Sequence, residues 1–368
     1  MDICVLSTLA GDGWGGSEEL WSAAAKRLVE GDNRVTAVTR ARRERPEALT
    51  ELAARGVNLS TWRPAGRVRR ALYKGRLLRG PVISAHTVLV NTASAHDLIN
   101  ASTPRAMVNR ARRSGIPYIL APHSLIERRL SPRNRRLLRE LYTGAAAVVL
   151  PSMRMREDLE RQLVVSLPHC VEIPTPTPML AAPPEPRRTE GRLRMACVAR
   201  IDIEQKGQDI LLSALSSVSW RDKEWTLSVF GTGPDEDYVR SLVHFYGLDA
   251  HVTLHGQSRD IAAVWRDHDV LAQPSRREAR GIAITEAMAA GRPVIATAVG
   301  GIPDSVIDEV TGLLVCAPTH DAWVDGLERL WSSRDRLPAW GTAARTHVER
   351  LFEEDPVTRL VALLTSKM

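Results

Sequence analysis

The sequence predicts an α/β protein of two doubly wound domains facing a central cleft, and three observations carry that reading. Its 368 residues suit about two domains. In both halves, short apolar or β-branched runs alternate with longer stretches of helical periodicity. Between the halves lies a proline-rich passage, 174–186, with few groups that build a core, which reads as a stiff connector. The expected organisation is a first domain at 1–175, a linker at 176–190, a second domain at 191–345 and a closing helix at 346–368.

The expected strands lie at 3–9, 35–38, 87–91, 118–121 and 147–150 in the first half. In the second they lie at 193–199, 226–230, 252–254, 270–272, 294–298 and 312–315. These runs are continuously apolar, which fits strands buried on both faces and hence parallel sheets covered by helices. Ligands of such sheets bind at the carboxyl ends of the strands. The opening run follows Asp2 rather than a basic segment and leads into glycines, so it reads as a buried strand and not a signal peptide. No run approaches the length of a membrane span. The apolar share of 44% and charged share of 25% exclude disordered and collagen-like chains. Cys4, Cys170, Cys197 and Cys316 are far apart and lack histidines at ligand spacing, which suits a reduced, cytoplasmic, metal-free chain.

Net charge is unevenly placed. Residues 1–180 hold 28 Lys+Arg against 16 Asp+Glu, a balance of +12, and residues 181–368 hold 22 against 27, a balance of −5. Basic runs at 67–79, 105–113 and 128–139 supply much of the excess. With three Phe, five Tyr and no nucleic-acid-binding pattern, a nucleic-acid partner is not expected. The plain reading is a solvated face. The sharper one is peripheral docking on an anionic membrane surface, or on a phosphorylated acceptor.

Chemistry concentrates in a few places. After the expected strand at 270–272, a loop carries Glu278, Gly281 sits at the turn, and a helix begins at Ile282 and holds Glu286. Gly291 and Pro293 end that helix. The free amides of its first turn suit a diphosphate, and a carboxylate such as Glu286 can accept from both hydroxyls of a ribose. Glu286 alone would equally suit the helix dipole; Glu278 and Gly281 beside it favour binding. Arg200 follows the first strand of the second half, with Lys206 and Gly207 opening the next helix. Two cations there could neutralise a leaving diphosphate without a metal.

In the first half, Gly11, Gly13 and Gly16 match a dinucleotide fingerprint, yet Thr39-Arg40 stands where the ribose acid belongs. A glycine turn beneath a substrate, with Ser17 as helix cap, fits better. His123 lies just past an expected strand, equally suited to a structural role or to a sugar or phosphate contact. Asp267-His268-Asp269 precedes its strand, at the wrong edge for a metal-nucleotide site, and no metal is assigned.

Together, Glu278 and Glu286 flanking Gly281, the run 287–297, Gly300-Gly301, Thr311-Gly312, and Gly15-Gly16-Ser17-Glu18 resemble the retaining glycosyltransferases of family 4, which have the GT-B fold of two Rossmann-like domains. The likeness is specific over 193–318 and weaker over 1–180. It implies that Arg200 and Lys206 bind the donor diphosphate, that Gly281 and Ile282 offer it amides, and that Glu286 holds the ribose. Glu278 would meet the sugar hydroxyls, Gly15 and Gly16 would let their loop approach the diphosphate, and His123 would sit near the transferred sugar. The closing helix would cross back onto the first domain.

Three positions depart from the pattern. Ala279-Arg280 replaces Gly-Phe and puts a cation near the sugar pocket, the gap from Arg200 to Lys206 is one residue longer, and Glu309 stands at a turn usually held by glycine. The expected activity is metal-independent, retaining hexosyl transfer from a nucleotide-sugar, with no cofactor, to a hydroxyl of a glycan, lipid-linked saccharide or metabolite. A nucleotide-sugar epimerase and a catalytically silent scaffold are the alternatives.

Overall fold

Seven strands form the first sheet, in the order β3-β2-β1-β4-β5-β6-β7, and every pairing is parallel. They are β1 (Asp2–Ser7), β2 (Arg34–Arg40), β3 (Asn58–Trp62), β4 (Thr87–Thr92), β5 (Tyr118–Pro122), β6 (Ala147–Leu150) and β7 (Cys170–Glu172). The computed structural model describes residues 1–9, 14, 16–42, 45–63, 85–92, 94–124, 129–177, 191–258 and 260–366. The linker residues 178–190, the basic run 67–79, and Gly11, Gly13 and Gly15 lie outside the described residues.

Between the strands run α1 (Gly16–Glu30), α2 (Glu47–Ala54), α3 (Ala95–Asn100), α4 (Ser102–Arg113), α5 (Pro132–Thr143) and α6 (Arg154–Leu163). Ile3 and Val5 of β1 pack with Leu20, Trp21 and Leu28 of α1. Ser17 lies inside the first turn of α1 rather than capping it, because the helix already begins at Gly16. Strands β3 and β7 were not expected from the sequence. Both are sheet edges with largely part-exposed residues, so neither shows an apolar run.

The second sheet has the order β10-β9-β8-β11-β12-β13, again all parallel. Its strands are β8 (Leu193–Val198), β9 (Trp225–Phe230), β10 (Val252–Gly256), β11 (Val270–Gln273), β12 (Val294–Thr297) and β13 (Gly312–Val315). Met195 and Cys197 of β8 join a layer with Leu211 and Trp323, whereas Ala196 between them joins a layer with Ile284 and Met288. Successive side chains thus enter opposite cores, which is why the runs read as continuously apolar. Connections from β8 progress towards one edge and those from β11 towards the other, while β8 and β11 pair side by side. Their carboxyl ends therefore flank the point where strand order reverses, where ligands of doubly wound sheets bind.

The helices of this unit are α7 (Ile203–Lys206), α8 (Gln208–Leu215), α9 (Glu236–Phe245), α10 (Ile261–Asp267), α11 (Ile282–Ala289), α12 (Ile302–Ser305), α13 (His320–Ser332) and α14 (Leu337–Leu351). The last helix, α15 (Pro356–Thr365), does not belong to it. The chain divides into Met1–Pro176 with Glu354–Met368, and Thr177–Glu353. The boundary falls at Glu354 and not at 346, because Trp340, Ala344 and Val348 of α14 are buried in the second unit's cores. Val357, Leu360 and Leu364 of α15 are buried with Leu20, Trp21 and Leu28 in the first unit. Asp355 caps α15 by accepting from the amides of Val357 and Thr358, each at 3.2 Å.

Candidate active site

The loop after β8 and the loop after β11 lock onto each other. Asp202 caps α7 through the amide of Gln205, and Lys206 ends that helix instead of opening one. Gly207 then turns the chain at φ +68°, and a Cβ there would fall 2.1 Å from the carbonyl oxygen of Pro274. Only glycine permits that approach. Two residues on, the amides of Arg276 and Arg277 donate to the Gln205 carbonyl at 2.9 and 3.2 Å.

This staple brings together two residues that the sequence separates widely. Lys206 Nζ lies 2.5 Å from Glu278 Oε2, with the two side chains only 16% and 10% exposed. Ser275 Oγ is 3.4 Å from the same oxygen, and the Ala279 amide is 3.3 Å from the other. Behind Glu278, Gly300 at φ +53° packs so closely that a Cβ would meet the Glu278 carbonyl at 1.8 Å. The sequence did not mark Gly300, Ser275 or Arg276 for these roles; their partners are distant in the chain.

Gly281 precedes the first turn of α11 at φ +86°, and Ile282 is the first helical residue. Glu286, further along, is half-buried, and its carboxylate has no hydrogen bond or ion pair among the described residues. Burial without compensation pushes its pKa up to about 7. Arg200 is exposed just past β8, its carbonyl accepting from Gln208 Nε2 at 2.9 Å.

The first unit carries the remaining positions. His123 follows β5, its Nε2 2.5 Å from Asn91 Oδ1 at the end of β4, and its amide donates to the Thr92 carbonyl. Burial lowers its pKa to about 4, so the ring is neutral near physiological pH. Gly16 opens α1. Arg280 is only 5% exposed; burial lowers the pKa of His347 on α14, and the Arg280 charge acts in the same direction. Asp269 sits at the amino edge of its sheet, accepting from the Arg194 amide at 2.9 Å.

Two parallel doubly wound units are the architecture of the GT-B fold. The family model for glycosyl transferases group 1 matches residues 181–347, and that for glycosyltransferase family 4 matches 14–177. The chain is 31% identical over 310 residues to the GDP-mannose-dependent alpha-(1-6)-phosphatidylinositol monomannoside mannosyltransferase of Mycobacterium tuberculosis, covering 78% of this chain and 80% of that protein. It is 44% identical over 159 residues to the D-inositol 3-phosphate glycosyltransferase of Saccharomonospora viridis, covering 39% of this chain and 36% of that one. The structure of Anabaena HepE in complex with UDP and glucose superposes with a TM-score of 0.74 at 18% identity, over 100% of both chains. The chain belongs to the group 1, family 4 glycosyltransferases, enzymes that transfer a sugar from a nucleotide-sugar.

Proposed function

We propose that this glycosyltransferase moves a hexosyl unit, with retention and without a metal, from a nucleoside-diphosphate sugar to a hydroxyl of an anionic saccharide, lipid-linked glycan or small metabolite. The observation that carries the reading is the Lys206–Glu278 pair beside the Gly281-capped helix. Arg200, Lys206 and the amides of Gly281 and Ile282 hold the diphosphate. Glu286 accepts from the ribose hydroxyls and Glu278 from those of the sugar.

The bond between the anomeric carbon and the diphosphate oxygen breaks as the acceptor oxygen bonds on the same face, and the departing diphosphate takes the acceptor proton. Cations and helix amides stabilise the developing charge. Asp267 and Asp269, at the opposite edge from Glu278, offer that charge no metal bridge.

An anionic acceptor is supported by the first-half balance of +12 (28 Lys+Arg against 16 Asp+Glu) and by Arg133, Arg136 and Arg139, exposed at successive turns of α5. The names of the two relatives above both specify phosphorylated inositols. Among the described residues no helix is long and apolar enough to cross a membrane. The α5 face would instead bind anionic lipid by charge, and vesicle co-sedimentation that salt abolishes tests it.

Thermal shift with UDP-, GDP- and dTDP-sugars identifies the donor, since a binder raises the midpoint according to its affinity. With that donor, Lys206→Ala and Glu286→Ala should each cut transfer on the order of 10²-fold while remaining folded. Near-normal turnover in either variant overturns the assignment.

A further inference from the structure

Lys206 and Glu278 have different tasks in the donor reading, one for phosphate and one for sugar, yet in the structure each is the other's ionic partner. Their backbones have little room to part. Gly207 packs on Pro274, Gly300 packs on the Glu278 carbonyl, and the amides of Arg276 and Arg277 bond to Gln205. A phosphate that reaches Lys206 therefore meets a carboxylate at the same ammonium, in a setting only a tenth to a sixth exposed (10% and 16%), where like charges are poorly screened.

We propose that Glu278 makes the donor site discriminate an intact nucleotide-sugar from the free nucleoside diphosphate, by competing with the diphosphate for Lys206. A bare diphosphate displaces the carboxylate and returns nothing to it. An intact donor brings sugar hydroxyls that can donate to the carboxylate in place of the ammonium. The carboxylate has capacity for them: its other contacts, from Ser275 Oγ and the Ala279 amide, are long, at 3.4 and 3.3 Å. The spent nucleotide is thereby expelled once its sugar has gone. This inference rests on the donor-site reading above.

Calorimetric titration of wild type and Glu278→Gln with UDP, GDP, UDP-glucose and GDP-mannose tests it. Removing the carboxylate's charge should tighten binding of the nucleoside diphosphate on the order of tenfold. The matching nucleotide-sugar should gain nothing or weaken, so that the preference for it collapses. In a Lys206→Met background, Glu278→Gln should bring a smaller gain, because only the repulsion between carboxylate and diphosphate is relieved and no contested cation is freed. Should Glu278→Gln fail to fold, Glu278→Asp draws the charge back by one methylene and should shift the preference the same way, by less. A folded Glu278→Gln protein that binds UDP or GDP no tighter than wild type overturns the exchange and leaves the donor site standing. Wild type that binds none of the four overturns both.

Discussion

Arg276 forks onto Asp209, its Nη1 and Nη2 lying 2.6 and 2.8 Å from the two carboxylate oxygens, and the same Nη1 donates to the Ile203 carbonyl at 2.6 Å. The fork ties the loop bearing Glu278 to the helix that Lys206 ends and to the helix that follows it. Arg276→Ala should lower transfer roughly tenfold by loosening that spacing. Arg276→Lys should recover only part of it, since an ammonium cannot engage both oxygens in one plane. Steady-state kinetics and thermal midpoints of both variants check this. Wild-type kinetics in the alanine variant would remove Arg276 from any positioning role.

Glu286 holds its proton up to about pH 7 in the folded chain, against an ordinary value of 4.5. Between those values the folded protein binds more protons than the unfolded one, so this residue lowers stability as pH rises through that window. Glu286→Gln should be more stable than wild type at pH 8 and nearly equal to it at pH 4.5. Denaturant midpoints at both pH values decide the matter; a constant offset would contradict the raised pKa.

For His123 the sign is opposite. Its pKa of about 4, below the usual 6.5, means that the unfolded chain takes up the proton first. The stability it contributes is present above about pH 6.5 and is lost as pH falls through 4. Ring chemical shifts in labelled protein should stay those of neutral imidazole from pH 8 down to about 5. A ring titrating near 6.5 would refute the buried, neutral assignment.

Leu360, 1% exposed, fills the first unit's core from α15. Leu360→Ala should cost about 2–5 kcal/mol through the cavity it leaves. The loss should appear in the unfolding of the first unit, because the residue's core contacts lie there. Chemical denaturation followed at Trp21 or Trp62 by fluorescence would show it, and an unchanged midpoint would not fit this packing.

Much of the architecture was written in local patterns. The central strands β11 and β12 of the second sheet coincide with continuous apolar runs, because their alternate residues enter the cores on both faces, whereas the edge strand β10 keeps Thr253 and His255 exposed. The edge strand β3 escaped notice, as Asn58, Ser60 and Thr61 leave it exposed. Lys206, Glu278 and Gly281 were each singled out from their local patterns, and the structure adds that Lys206 and Glu278 are ionic partners. The Arg276–Asp209 fork was not legible, since 67 residues separate the partners and neither has a local signature. The burial of Arg280, only 5% exposed, was not legible either, because it is set by tertiary packing and has no local signature. Glu309 does occupy the left-handed turn that its position implied, at φ +58°, with Arg329 3.1 Å away.

Because α15 closes the core begun by β1 and α1, the order of synthesis and the order of assembly differ. A ribosome must release the entire intervening unit before the first one receives its last hydrophobic layer. Nascent chains arrested short of Glu354 should thus expose the α1 flank to chaperones, while the segment made later is already complete.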